Sequence, residues 1–560
     1  MRTRAVWQAA PRQPAEGLLG AAGFSPRLAR LLAHRGLDTP EAAGAFLAPS
    51  VDQLHDPFLL FGLEQAVGRL VAAREAGERV AVVGDYDVDG VTATALLLVV
   101  FEACGIDARP VLPHRLREGY GFQPLHVERA RELGCKVIVT VDCGTSAAEA
   151  IAAAGESGVD VIVTDHHLPG EALPAGAVIV NPRQPGCAYP FPYLAGVGLA
   201  LKLAQGLAAR LDRALPLDPL LRVACLGTIA DLVPLVGENR VIASRGLATF
   251  GETRSVGLKA LMDKAGVKPP LSASDVGFRL GPRLNAAGRL ASPDQALELL
   301  LARDREQAQG LADQLESANR SRQEEEGRAV LEAGEDVRAR SPRPSILVAW
   351  SEGWHRGVVG IAAGRLAREL SRPTILLSVE GEVATGSGRS LPGLDLHSLV
   401  RRSAGRCRRF GGHPQAIGLT VETAELEELR QELEQAAAAE WPAESLVQRF
   451  EYEIELAAGE VTEGLTQEIV RLEPFGIGNP QPLLRLSGLR LRANPRLFGT
   501  SHLSAVAEGH DGGRVNLLGW RWQERAADLD GAFEVLGYLE RDSLRGEPVI
   551  RLADARPMEA

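Results

Sequence analysis

The sequence predicts an α/β protein: a buried parallel sheet, a long connector helix, a second and smaller α/β domain, and a C-terminal β-barrel. Three observations carry this. Between about 79 and 235, short β-branched runs (79–84, 136–141, 160–164 and 177–181) alternate with helical stretches such as ALLLVVFEACG, the pattern of strands covered on both faces. The charged stretch ALELLLARDREQAQGLADQLESANRSRQEEEGRAVLEAG reads as one long, partly solvated helix joining two bodies. After about 448, the alternating segments FEYEIEL, LRLSGLRLRAN, RVNLLGW, AFEVLGYLE and EPVIRLADA read as five strands of a Greek-key barrel of the oligonucleotide-binding type.

Each element follows in order. Residues 1–75 are Ala- and Leu-rich, with helical patterns broken at Pro40 and Pro49. The parallel-sheet domain is expected over 76–240 and the helical region with its connector over 241–340. Within 341–445, SILVAW and PTILLSVE read as strands around the helix VVGIAAGRLAREL, with a charged helix at 424–440. The barrel is expected over 446–560. At 560 residues several domains are needed, since single cores stop growing well before that length.

Composition excludes some classes. No run of about 18 apolar residues occurs, the first 20 residues lack an apolar signal core, and the six cysteines form no C-x-x-C pair. A cytoplasmic protein without membrane contact is expected. The net charge of −11 argues against nucleic-acid binding driven by bulk charge. Arginines nevertheless cluster at 401–409 and 485–496, where local patches could line a groove.

The chemistry concentrates at strand ends, where ligands bind in parallel sheets. VAVVGDYDVDG presents Asp85, Asp87 and Asp89, VIVTVDCGT presents Asp142, VIVTDHH presents Asp165, His166 and His167, and GTIADLVPL presents Asp231 after an apolar run. One such aspartate is most simply a helix or turn cap, and Asp89-Gly90 is also a common turn pair. Acids gathered from four separate segments repel one another unless a cation neutralises them. Oxygen ligands with one imidazole suit Mn²⁺ or Mg²⁺, and two ions about 3.5–4 Å apart can clamp the attacking and leaving oxygens of a phosphate ester. Asp85, Asp87, Asp89, Asp142, His166 and Asp231 are the expected ligands of two ions. Asp87 or Asp142 is the expected bridge, and His167 is placed to bond a phosphate oxygen or protonate a leaving group.

DYDVDG, VDCGT, TDHH and GTIADLVPL, in this order, resemble the four motifs of the DHH phosphoesterase superfamily. Within it, the chain is most similar to the RecJ family of single-strand-specific exonucleases, from about residue 50 to 555. The resemblance implies that the middle residue of the D-H-H triplet, His166, ligates a metal and that His167 meets the phosphate. It implies catalytic roles for Asp87, Asp142 and His167, cleavage of single-stranded DNA from 5′ to 3′ into 5′-mononucleotides, and work in recombination and repair. A monomer partnered by a single-strand-binding protein and a recombination helicase is the corresponding expectation.

GPRLNAAGRL at 281–290 resembles a family stretch that contacts the terminal phosphate, so Arg283 and Arg289 are expected to grip phosphate and Asn285 to order a loop or a water. GWHRGVVGIAAGRL brings His355 and Arg356 before a helix N-terminus that attracts anions. GSGRS and GGHPQAIG place Arg389, Ser390 and His413 on glycine-rich turns. Together these resemble the DHH-associated domain, whose turns hold substrate across a cleft from the metals. Ile417 stands where the family commonly has alanine, and is expected to narrow its turn. Phe475 and Asn479 of LEPFGIGNPQP are read as packing their loop. Two rivals share these features: a smaller-substrate enzyme of the same superfamily, and a DNA-binding scaffold without activity. The chain's length argues against the first, and its full set of ligand types against the second.

Overall fold

The computed structural model describes residues 5–114, 118–119, 121–290, 292–340, 343–442, 446–499, 501–542 and 546–558. Two compact units result. One gathers the described residues between 7 and 113, 120 and 281, and 449 and 560; the other is essentially 282–448.

The first unit is built on a five-stranded parallel sheet in the order Ala108–Val111, Arg79–Gly84, Cys135–Val141, Asp160–Thr164, Ala177–Val180. Ala81, Val83, Ile138, Val161 and Val163 share a core with Val127, Ala130, Ile151 and Ala154 of the covering helices. The alternate residues Val82, Val139 and Ile162 are equally buried on the other face, each burial stabilising by about 1.5–3 kcal/mol. Gly84 pairs with Val141, and Val141 with Thr164. Neighbouring strands therefore end level, and the residues after them meet on one edge. The edge strand Ala108–Val111 escaped the sequence reading because it is short and carries Pro110, which a strand tolerates at a sheet edge.

Pro40 begins a helix instead of breaking one. It occupies the first turn of Pro40–Leu47, with the Thr39 side chain accepting from Ala42 N–H, where the missing proline N–H costs nothing. These N-terminal helices pack into the barrel core: Leu28, Leu31, Leu32 and Ala43 join Leu484, Leu486, Val515 and Phe533.

The barrel closes with five strands. Leu484–Leu491 pairs with Ala532–Arg541, which pairs with Pro548–Pro557, Arg514–Gly519 and His502–Glu508 in turn. His502–Glu508 returns to the first strand at Arg490 and Leu491. The fifth strand is HLSAVAE and not FEYEIEL, which splits into Arg449–Tyr452, beside Val6–Ala9, and Ile454–Leu456, flanking the barrel. Only Leu503 and Ala507 of HLSAVAE are fully buried, a weak apolar signal. Phe475 packs on this core, and buried Asn479 donates to the Leu472 and Pro474 carbonyls. Both pack the loop as read.

The second unit holds the connector, which is two helices: Asp294–Leu301 and the 35-residue Arg305–Ala339. Asp304 makes the break by capping the second, its Oδ1 accepting from Gln307 N–H at 2.8 Å. The sheet order is Cys407–His413, Ala416–Glu422, Val383–Arg389, Thr374–Glu380, Leu347–Ser351, and only the last pair is parallel. GSGRS and GGHPQAIG, expected as turns, lie largely in strands. Gly386 belongs to a strand because a Cβ there would meet the Leu376 carbonyl at 2.2 Å. Ile417 points into the core, 2% exposed, and bare Gly388 opposite makes room for it. It narrows no turn. Among the described residues, no helix is long and apolar enough to cross a membrane.

Candidate metal centre

The DYDVDG segment turns directly from strand into helix. Gly90 permits the approach, since a Cβ there would lie 2.5 Å from the Asp85 backbone. Asp87 is the N-cap of helix Val88–Cys104, its Oδ1 accepting from Asp89 and Gly90 N–H at 2.9 and 3.1 Å. The cap reading of an isolated aspartate is thus true of Asp87, while its carboxylate still reaches the cluster. Asp89 is held at the N-terminus of a second helix, Gly196–Arg210. Gly196 N–H donates to Oδ2 at 2.6 Å and Val197 N–H to Oδ1 at 2.8 Å, a setting that favours an anion.

Asp142 follows its strand in the left-handed backbone region, φ +63°, strained for a residue other than glycine. The site imposes this conformation: Asp142 N–H donates to the Thr164 carbonyl at 3.0 Å. Gly196 abuts it, and a Cβ there would lie 2.6 Å from the Asp142 Cβ. Asp231 caps the C-terminus of helix Leu217–Ala230, and Leu232 after it is again left-handed, φ +61°.

In the D-H-H triplet the two histidines part company. His166 is buried, its Nε2 lying 3.0 Å from Asp142 Oδ1, 3.6 Å from Asp231 Oδ2 and 4.0 Å from Asp89 Oδ2. His167 is half-exposed, its Nδ1 2.7 Å from Asp165 Oδ1. Asp165 organises the loop, its Oδ2 accepting from Thr145 N–H at 2.9 Å. Asn181 completes the latch, donating to the His167 carbonyl at 2.9 Å and to Thr145 Oγ at 3.0 Å. Asp165 was visible in its motif but had no assigned role; Asn181 was missed altogether. A polar residue directly after the apolar strand Ala177–Val180 was the available signal.

Three groups of ligand atoms converge, each within 4.8 Å: Asp85, Asp87 and Asp142; Asp89, His166 and Asp231; Asp142, His166 and His167. All six expected ligands therefore meet, and Asp142 and His166 are each shared between groups. Asp142 Oδ1 and His166 Nε2 are buried without a hydrogen-bond partner, a costly arrangement in a protein interior. Burial and the neighbouring acids raise Asp142 well above the carboxylate range, Asp89 to about 7 and Asp231 to about 9. Burial lowers His166 to about 4, favouring the neutral imidazole that ligates metals. Burial alone would raise Asp165, but the His167 hydrogen bond holds it below its ordinary value. At His167 burial is the largest influence, and that bond together with the charges of Asp165, Asp85 and Asp89 outweighs it and raises the imidazole. Unsatisfied buried donor atoms, hard oxygens and one shared imidazole fit two divalent cations of the Mn²⁺ or Mg²⁺ kind.

The expected substrate residues all belong to the second unit. Arg283 lies on a helix, Gly281–Leu290, and its Nε donates to Glu316 at 2.6 Å. Asn285 and Arg289 share that helix. Arg289 donates to the Gly357 carbonyl at 3.4 Å, which joins it to the turn carrying His355 and Arg356. His355 Nδ1 accepts from Gly357 N–H at 3.1 Å, just before helix Val359–Leu370. Arg389 lies against this helix at Gly360. Ser390 is one residue beyond, donating to the Leu394 carbonyl at 2.8 Å, and His413 is exposed at the end of its strand. The arginines of 401–409 are largely neutralised: Arg402 pairs with Glu440, Arg406 with Glu425 and Glu432, and Arg408 with Glu422.

Three family models match in chain order: the DHH family, N-terminal domain (79–228), the DHHA1 domain (343–439) and the RecJ OB domain (452–553). Escherichia coli RecJ, a single-stranded-DNA-specific exonuclease, is 37% identical over 88% of this chain and 88% of its own. Bacillus subtilis RecJ, of the same description, is 38% identical over 82% of this chain, a match spanning 58% of the relative's length. The crystal structure of Thermus thermophilus RecJ in complex with Mn²⁺ superposes with a TM-score of 0.84 at 31% identity, covering 100% of this chain and 81% of that one. The chain belongs to the RecJ family of DHH proteins.

Proposed function

We propose that the chain is a two-metal-dependent exonuclease that hydrolyses single-stranded DNA from 5′ to 3′, releasing 5′-mononucleotides in recombination and repair. The observation that carries this reading is the convergence of six ligand residues around two buried, unpartnered atoms, Asp142 Oδ1 and His166 Nε2. Family membership supports the substrate class and the metals: the relatives are named for single-stranded DNA, and RecJ structures hold Mn²⁺ or Mg²⁺; the polarity is what the motif resemblance implies.

Asp85, Asp87, Asp89, Asp142, His166 and Asp231 would hold the two ions, with Asp142 as the shared carboxylate. Bound there, divalent cations neutralise the charge on a phosphate and ease its attack by water. Asp165 fixes His167 through Nδ1 and raises its affinity for a proton, so His167 holds to higher pH than a free imidazole a proton that it can deliver to the departing 3′-oxygen. Arg283, Asn285, Arg289, His355, Arg356, Arg389, Ser390 and His413 are the proposed substrate contacts. A cytoplasmic monomer working with a single-strand-binding protein and a recombination helicase completes the proposal.

The test compares 5′-phosphorylated single strands with duplexes and dinucleotides, in Mn²⁺ and in EDTA. Metal-dependent release of 5′-mononucleotides from single strands alone is expected. Equal turnover of dinucleotides, or binding without turnover, would overturn the reading.

A further inference from the structure

Arg183 is a cation beside the metal centre that the proposed chemistry leaves unused. Two hydrogen bonds locate it. Asn181, which holds the His167 carbonyl, accepts the Arg183 N–H at 2.8 Å. Arg183 Nε donates to the Pro192 carbonyl at 3.1 Å, bringing its guanidinium 5.7 Å from the Tyr193 ring. Tyr193 is fixed from the other side. Asn239 donates both to the Tyr193 carbonyl, at 2.5 Å, and to that of Pro234, at 3.1 Å, on the loop that follows Asp231. The pair is thus bracketed by the two loops that deliver His166 and Asp231, and the Arg183 charge is felt at both of those residues.

Neither side chain is used up by the fold. Among the described residues no carboxylate pairs with Arg183, and its two terminal nitrogens donate no hydrogen bond, whereas Arg283, Arg406 and Arg408 of the second unit are committed to glutamates. Tyr193 is 45% exposed, with its ring edge-on to buried Phe191 at 5.7 Å and 77°. An unpaired guanidinium offers a fork matched to phosphate oxygens, and a supported, exposed ring is a platform for a base.

We propose that Arg183 and Tyr193 form a nucleotide-binding subsite flanking the metal centre, the guanidinium donating to a phosphodiester oxygen of the single strand and the ring stacking a nucleobase. The proposal rests on the nuclease reading. It is tested with the full chain and Mn²⁺, on a short 5′-phosphorylated single strand and on versions lacking one base at successive positions from the 5′ end. Arg183→Gln should raise KM about tenfold with a much smaller change in kcat, and Arg183→Lys should recover part of that loss. Tyr193→Ala should raise KM about fivefold, Tyr193→Phe should behave as wild type, and on one abasic strand Tyr193→Ala should cost nothing further. A KM within twofold of wild type for Arg183→Gln overturns the subsite, as does a Tyr193→Ala penalty equal on every abasic strand. A wild-type protein inactive on the intact strand would instead sink the nuclease reading itself.

Discussion

The two α/β units handle charge in opposite ways. In the second unit, arginines at or near the surface meet glutamates, as in Arg406 with Glu425 and Glu432 and Arg408 with Glu422, pairs that contribute little to stability. In the first unit, Asp89, Asp142 and His166 are buried together, and two of their atoms have no hydrogen-bond partner. The difference teaches which acids to regard as functional. Charge that the fold has already neutralised is structural, and buried like charge that it has left uncompensated awaits a ligand.

The strongest challenge to this contrast is Asp142→Ala. It removes the carboxylate common to two ligand groups, and loss of cleavage by about a thousandfold or more is expected. Mn²⁺ should then no longer raise the unfolding temperature, though metal-free protein remains folded. Normal turnover would show that the acids crowd without purpose. Next in size is Gly196→Ala. The new methyl would overlap Asp142 and should destabilise by about 1–3 kcal/mol, with Mn²⁺ affinity falling more than the unfolding temperature alone explains. Unchanged affinity by calorimetry would mean the contact does not position Asp142.

A third prediction uses pH. Folded carboxyls at about 7 (Asp89) and about 9 (Asp231) retain protons that the unfolded chain releases near 3.8. Their contribution is complete below about pH 4 and is lost as pH rises through 7 and then 9. His166, lowered from 6.5 to about 4, works in the opposite sense, its contribution present above pH 6.5 and lost on acidification toward 4. Above pH 7 His166 no longer changes, while Asp231 and the raised His167 both act in the first sense, so EDTA-treated protein should lose unfolding temperature from pH 7 to 9. Saturating Mn²⁺ should cancel or reverse that slope, because it binds the deprotonated ligands. A level metal-free profile would contradict the crowding of acids. Smallest of all, Arg408→Gln should leave both the unfolding temperature and Mn²⁺ affinity unchanged, and a measurable drop in either would blur the contrast between the units.

Strand ends were the most legible part of this molecule, because β-branched runs and the aspartates after them lie side by side in the chain. Asp85, Asp142 and His166 could be placed for that reason, before any packing was known. Asn181 and Asp165 could not be assigned because both act through hydrogen bonds to Thr145, which lies on a separate loop 20 or more residues away. The glycine-rich segments of the second unit misled for a related reason. Gly386 and Gly388 look like turn residues in isolation, and only the neighbouring Leu376 carbonyl and Ile417 show that the strand needs their bareness. HLSAVAE was passed over because alanine and serine give a weak alternation, and closure of the barrel at Arg490 and Leu491 supplies what the pattern lacks.

The shared core of the N-terminal helices and the barrel has a consequence for biosynthesis. Leu28, Leu31 and Leu32 are synthesised long before Leu484, Phe533 and Ile550, against which they are buried. Contacts of such sequence separation form slowly. Until the barrel strands are made, the nascent chain therefore exposes an oily surface on these helices, and a chaperone that shields residues 15–47 over that interval would improve the yield of active protein.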